Sequence, residues 1–580
     1  MSLYGSVIWV PSDRTGATDM ALELEQFVRA NQPNQVVVAP GSTIKLRDFG
    51  KKGTLLSTDH VKIDFGDCVI LWDNDAKCVD LNNAANASDE VNVTAIAVEN
   101  IDSYTPTTKV SIDATLNAKV HDWVAIYSDS ANPSKSGAKM GEIKQLIRDQ
   151  TVDGGGFALN TSSKLSRPSL FVTNVRCRVL SKTAKLSLRG GIWRGNGNNN
   201  DLNITTREKC ITIIGYVQPE LYDMRCEKPW AQFITLTCNA DHRIRNITMT
   251  DSLNVVDDAE GNQNIPGYTY GVCLYGMNDG GVAHDIKVRN CRHPAGTTDG
   301  NSGNTTTWYF MGYPTACTFE NVTGWNCYGS LTDSHEEGAH IVFKNITSFY
   351  PVQDYANTLG VTHQSRSFNE TIENVTCIGG TGGVRISDVD HGEQNRVILR
   401  NVTTRYVQNG GANAFGIDIK DRSAANEILV IMENVHMTGS ERGIHVGKNA
   451  KLVYNNVSAN GCLWFMDVDA GAVVIGTGTY LDFTDSPYGL SEAVHYCFRL
   501  RSEVGNSPTV VLLDSPVVVQ RTTDQPRHFW DEWDTNEVKL VHHPGITLYQ
   551  PNGGTAMIDR ESGETTIDNA TGVSTVALGA

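Results

Sequence analysis

The stretch "VFKNIT" (342–347) is followed by "TIENVT" (371–376) and then "ILRNVT" (398–403): three copies of a short β-branched run ending in Asn, an apolar β-branched residue and Thr. The same signature recurs as "TFENVT" (318–323), "IMENVH" (431–436) and "VYNNVS" (453–458), with an earlier relative at Asn246. From Asn321 through Asn345, Asn374, Asn401, Asn434 and Asn456 the separations are 24, 29, 27, 33 and 22 residues. A repeat of fixed strand segments with variable spacers predicts a β-solenoid, in which each coil is one strand-and-turn unit and length differences go into its loops. Asn tolerates the left-handed backbone conformation, so one Asn at the same corner of every coil predicts a ladder of amides hydrogen-bonded along the stack.

The sequence around the repeat agrees. "GVRIS", "FGIDIK", "RGIHVG" and "LWFMDVD" are β-branched or aromatic runs bounded by Gly, Asn and Asp, and 240–500 carries no comparable 3.6-residue pattern. Upstream, Asp19 is a plausible cap for a helix running to about Ala30, followed by the strand "QVVVAP". A helix there closes the open end of a solenoid. The organisation expected is a cap over 1–50, first coils over 51–104, a β-rich insertion over 105–165 and the main helix over 166–500. The region 501–580, where the repeat fades, reads as short hairpins and a small apolar tail that could serve trimerisation.

Bulk composition narrows the function. The chain has 580 residues, 40% hydrophobic and 19% charged, an ordinary globular balance. A net charge of −17 argues against nucleic acid as partner, since phosphate neutralisation needs surplus Lys and Arg. No run reaches the roughly 18–20 apolar residues of a membrane span. The opening "MSLYGSVIWV" shows no secretory signal. Thirteen scattered cysteines without CxxC pairs read as small buried hydrophobes of a reducing cytosol.

"TGATDMALELEQFVRAN", "QVVVAPGSTIKL" and "STDHVKIDFGD" resemble the opening of pectate-lyase-like right-handed parallel β-helix proteins, especially bacteriophage tailspikes and capsule depolymerases. "VHDWVAIYSD" and "KMGEIKQLIRD" resemble a small domain found in many such spikes. The resemblance implies an all-β, right-handed parallel β-helix. It also implies a homotrimer on a virion tail, made in the host cytoplasm and acting outside it beside other tail proteins. It further implies binding and cleavage of a bacterial capsule, exopolysaccharide or O-antigen.

Laying coils over one another aligns "LTDSH" (331–335), "LGVTH" (359–363), "VRISD" (384–388), "IDIKD" (417–421) and "IHVGK" (444–448). Alternation then sends Arg385, Asp418 and His445 outward, with His335, His363, Asp388 and Asp421 at strand ends where a turn breaks the alternation. Asp333 falls at an apolar parity, where burial raises a carboxyl pKa toward use as an acid. Two chemistries fit such a stripe. Hydrolysis asks for paired carboxylates, drawn from Asp333, Glu336, Glu337, Asp388 and Asp418. β-Elimination from a uronate asks for a base and a cation, drawn from His363 or His335 and Arg385. Carboxylates outnumber cations, which favours hydrolysis, while a glycan-binding adhesin without catalysis uses the same stripe. A metal site of Asp333, His335 and His363 matches no standard ligand spacing, and no metal or cofactor is expected. For sugar rings, Tyr275, Trp308, Tyr309, Tyr313, Tyr350 and Tyr355 offer flat platforms and Asp421 and His445 polar contacts, with Phe349 expected in the core.

Overall fold

In a computed structural model, residues 5–576 are described apart from the stretches 101–105, 132–138, 197–207, 252–255, 258–262, 265–269, 299–306, 351–360, 388–393, 406–414, 423–427, 484–495, 520–527, 533–539 and 550–565 and shorter ones of one to four residues. The chain forms two units, 1–327 with 333–342, and 328–332 with 343–580. Both are stacks of parallel β-coils.

In the first unit the register carries Val36 onto Ile63, then Leu188, Leu221, Ile244, Ala283 and Phe319. All seven side chains are buried. One residue position, repeated coil after coil, therefore builds the core, and burying each large aliphatic side chain contributes ~1.5–3 kcal/mol. A second parallel sheet joins Val79–Asn82, Ile211–Ile214, Ile234–Ala240, Tyr270–Asp279 and His293–Thr298. The helix Ala21–Ala30 packs Leu24 and Val28 inward. Its buried Glu25 accepts hydrogen bonds from the backbone N–H groups of Gly50 (2.6 Å) and Lys52 (3.0 Å), tying the helix to the first coil.

Between Asn82 and Leu186 the chain leaves the stack. It makes a seven-stranded sheet spanning Val91–Asn100 to Arg176–Val179, with antiparallel pairings throughout, and the segment expected to interrupt the coils lies inside it. Leu186 then returns to pair with Val61.

In the second unit the strands Thr371–Ile378, Asn395–Arg405, Ile428–Thr438, Lys451–Asn460 and Val473–Asp482 pair in parallel. Each contains a corner. Asn374, Asn401, Asn434 and Asn456 have φ between 53° and 57°, and this left-handed residue turns the strand so that Ile372 and Val375, three apart, both point inward. Their amides form the expected ladder: Asn374 donates to Asn345 (2.9 Å), Asn401 to Asn374 (2.9 Å), Asn434 to Asn401 (3.0 Å) and Asn456 to Asn434 (2.8 Å). The next corner is Gly478, φ 68°, whose N–H donates to Asp514 instead. In the first unit Asn246 and Asn321 hold the same left-handed corner and donate to Asp223 and Asp285.

Among the described residues after 500, the strands pair in parallel where hairpins were expected. Thr509–Leu512 pairs in parallel with Leu540–His542 and that strand with Thr566–Asp568, while Val517–Val519 stacks on Ile546–Tyr549 and that strand on Val573–Val576. The coils thus outlast the Asn signature. All thirteen cysteines are buried and none is in a disulfide. Among the described residues no helix is long and apolar enough to cross a membrane.

Candidate functional site

The second sheet of the second unit stacks Val361–Ser365, Gly382–Ile386, Phe415–Ile419, Arg442–Val446, Trp464–Val468 and Tyr496–Leu500 in parallel. Val384, Ile417, Ile444, Met466 and Phe498 form an apolar row facing the core. One residue on, and so on the opposite side of each strand, the register lines up Gln364, Arg385, Asp418, His445, Asp467 and Arg499. From Arg385 onward the charges alternate in sign from coil to coil. Neighbouring strands lie about 4.8 Å apart, so each charge finds its counter-charge one rung away. That alternation is why Asp418, His445, Asp467 and Arg499 can be almost fully buried together.

The contacts bear this out. Arg385 Nε donates to Asp418 Oδ2 at 2.9 Å, and its guanidinium lies 4.7 Å from the Phe415 ring centroid. His445 holds Asp418 Oδ1 through Nδ1 at 2.8 Å and Asp469 Oδ2 through Nε2 at 3.0 Å. Arg499 and Arg501 both donate to Asp467, and Arg499 stacks 3.7 Å from the Trp464 ring centroid. Burial alone would lower the pKa of His445, but hydrogen bonds from both nitrogens to Asp418 and Asp469 push it up to about 9. With two acceptors, the ring is an imidazolium at neutral pH. Burial works to raise the Asp418 carboxyl, yet His445 and Lys420 hold it well below the usual carboxylate range. Asp469 is lowered likewise, against burial, by His445, Arg501 and Arg442.

The sequence-derived candidates scatter. Arg385, Asp418 and His445 come together as neighbours on one row. Asp421 is exposed at the adjoining turn, accepting from the Lys448 N–H at 3.1 Å. His363 is not on this face: it has no accessible surface, its nitrogens meet Thr332 Oγ1 (2.7 Å) and Glu370 Oε1 (2.6 Å), and its ring packs 4.4 Å from Phe343. The strand does not end at His363 but continues to Ser365, so alternation is unbroken, and His363 pairs with Val384 rather than Asp388. In the first unit, Asp333 is buried at its apolar parity, with Oδ2 accepting from Tyr270 Oη at 3.2 Å. The side chain of His335, and Glu336, Glu337, Asp388 and Tyr355 altogether, lie outside the described residues.

The aromatics divide too. Tyr313 is a core residue, fully buried with its hydroxyl on Glu142 (2.8 Å) and Arg167 over its ring, so it is no platform. Tyr350 is buried while Phe349 is only half-buried, the reverse of the expected order. Trp308, Tyr309 and Tyr275 are half-buried in the first unit. Trp308 stacks on Tyr127 (5.6 Å), Tyr309 packs on Phe310 (4.7 Å), and Phe310 meets Tyr275 edge-on (6.4 Å).

Sequence reasoning missed Asp467, Asp469, Arg499 and Arg501. The signal was present in "LWFMDVD" and "YCFRLR", whose alternation continues the row, but no Asn follows Asn456 at the next corner to anchor the alignment. For metal, Asp421, His445 and Asp469 each bring one ligand atom within 4.8 Å of the others. An ion there has to displace the proton that His445 shares with Asp469, while Asp421 accepts from the Lys448 N–H instead.

No family model matches this chain. No curated protein matches it either. Among solved structures it is similar to the gp54 tailspike of Acinetobacter baumannii bacteriophage AP22 in complex with A. baumannii capsular saccharide, at 12% identity and a TM-score of 0.43 over 91% of this chain and 73% of that one. The tailspike gp49 of Pseudomonas phage LKA1 (12%, TM-score 0.40, 93% and 76% covered) and the tailspike gp61 of Pseudomonas phage phi297 (12%, 0.40, 89% and 81%) are similar at the same level. The fold of this chain rests on its own strand register.

Proposed function

We propose that the protein binds a bacterial surface polysaccharide and cleaves it as a tailspike-type depolymerase, by glycosidic hydrolysis. The observation that carries the reading is His445, held cationic between Asp418 and Asp469 on a row of charged side chains backed by a rigid parallel sheet. A group that keeps its proton at neutral pH is a donor, and cleavage of a glycosidic bond needs a proton on the leaving oxygen. Asp418 fixes the ring through Nδ1, and Nε2, whose hydrogen bond goes to Asp469 Oδ2 at 3.0 Å, is the edge that has to pass from Asp469 to the leaving oxygen. Asp469 Oδ1 accepts no hydrogen bond among the described residues, but it is buried with Arg501 Nη1 3.6 Å away, so it takes a proton from the attacking water only once Arg501 moves aside. Paired carboxylates with one of them protonated do not describe this centre, because Asp418 and Asp469 are both held ionised. β-Elimination asks for a neutral base, and the surroundings of His445 oppose one. Assembly as a homotrimer on a virion tail, beside other tail proteins, belongs to the same proposal.

The test is incubation with purified capsular polysaccharides, exopolysaccharides and O-antigens, following new reducing ends and the ultraviolet absorbance of unsaturated uronates together. Reducing ends without that absorbance are expected, with His445→Ala and Asp469→Asn each slowing release by about 10²-fold or more. Absorbance rising with the reducing ends would establish elimination, and tight binding with neither signal would make the protein an adhesin.

A further inference from the structure

Lys209 stands out among the cations of the first unit. It is half-buried just ahead of the strand Ile211–Ile214, and its Nζ lies 4.4 Å from the centroid of the Tyr275 ring. Its buried counterparts are matched: Lys144 binds Asp279 at 2.8 Å, and Arg167 binds the Tyr313 hydroxyl. The carboxylates that act on Lys209 are its chain neighbour Glu208, which forms no ion pair with it, and Asp80, which is already taken by Lys51 and by Lys77 (2.9 Å). Lys209 has no ion pair and no hydrogen bond among the described residues; the Tyr275 ring is its neighbour. Burial pushes its pKa down, and the pull of Cys273, Glu208 and Asp80 in the other direction does not offset it. Tyr275 is itself half-buried and continues edge-on into Phe310 and Tyr309. An ammonium held over an aromatic ring with no salt bridge among the described residues matches a sugar ring bearing a carboxylate: the aromatic cluster packs on the apolar face of the sugar, and the ammonium takes the anion. On a chain of net charge −17, recognition of an acidic polymer needs such a local cation, because the long-range field repels it.

We infer that Lys209 and Tyr275 form a subsite for an acidic sugar residue of the uronate class, so that the polysaccharide bound is anionic. This rests on the polysaccharide reading above. The experiment takes the polymers that the full-length protein binds in the panel, and measures affinity for each before and after its carboxyl groups are reduced to alcohols. The wild-type protein is expected to bind the native polymer at least tenfold more tightly than the reduced one. Lys209→Met is expected to lose that tenfold on the native polymer and nothing on the reduced one, while Lys209→Arg keeps most of it. A bound polymer without carboxylates, equal wild-type affinity for native and reduced polymer, or an equal loss on both forms in Lys209→Met overturns the inference and leaves the depolymerase reading standing. The wild-type comparison decides the matter even if Lys209→Met fails to fold. A panel in which nothing is bound or cleaved overturns both.

Discussion

At His445 the same geometry that suggests chemistry also sets a pH dependence. A histidine whose folded pKa is raised above its ordinary value near 6.5 contributes stability that is fully present below that value and is lost as pH rises through about 9. Asp418 and Asp469, held low, contribute above the ordinary carboxylate pKa and lose that only as pH falls below it. The trio therefore stabilises most from about pH 4 to 7. The thermal midpoint of the wild-type protein is expected to exceed that of His445→Gln across this range, by an amount reflecting ~2–3 kcal/mol, and the two curves should converge by pH 10. Parallel curves from pH 6 to 10 would show that the ring is not charged. At this scale the sequence was half legible. Arg385, Asp418 and His445 followed from alternation alone, whereas His363 required knowing that its strand runs two residues further, which local composition does not say.

The coil corner is the element that the sequence spells most plainly, because only Gly and a few polar residues accept its backbone at low cost. Asn401 has φ 53°, donates to Asn374 and accepts from Asn434. Asn401→Ala forfeits both hydrogen bonds and places a Cβ residue in the left-handed region without compensation, for a loss of about 2–3 kcal/mol. Asn401→Gly forfeits the hydrogen bonds alone and should lose about half as much. Denaturant titration of the two variants separates the terms, and equal losses would mean that the ladder, not the backbone, carries the corner. Where the corner changes to Gly478 the signature ends although the coils do not. Hence Asp467, Asp469 and the parallel strands beyond 500 escaped notice: hydrophobic alternation persists there, but nothing marks its register.

Within the first unit, the inserted sheet is fastened to a coil strand by one buried charge cluster. Lys144, on an inserted strand, reaches Asp279 (2.8 Å) and Glu142 (3.3 Å), and Glu142 also accepts from Tyr313 and the Ser166 N–H. Lys144→Met strands two buried carboxylates and is expected to cost about 3–5 kcal/mol. Limited proteolysis should then cut first between 83 and 185. Unchanged cleavage there would mean that the apolar packing of Tyr127, Ile143, Met277 and Met311 suffices to hold the sheet. The insertion has a consequence in time as well. Val61 and Leu186 are hydrogen-bonded neighbours 125 residues apart in the chain (186 − 61), where a typical coil closes over about 25. The fivefold longer loop adds only about 1.4 kcal/mol of closure entropy. During synthesis at roughly 5–20 residues per second, however, the edge of Val61–Asp64 waits some 6–25 s for its partner to emerge. For that interval the nascent protein carries an open β-edge, so the rate at which the ribosome delivers residues 83–186 governs how long the chain is exposed to pairing with another copy.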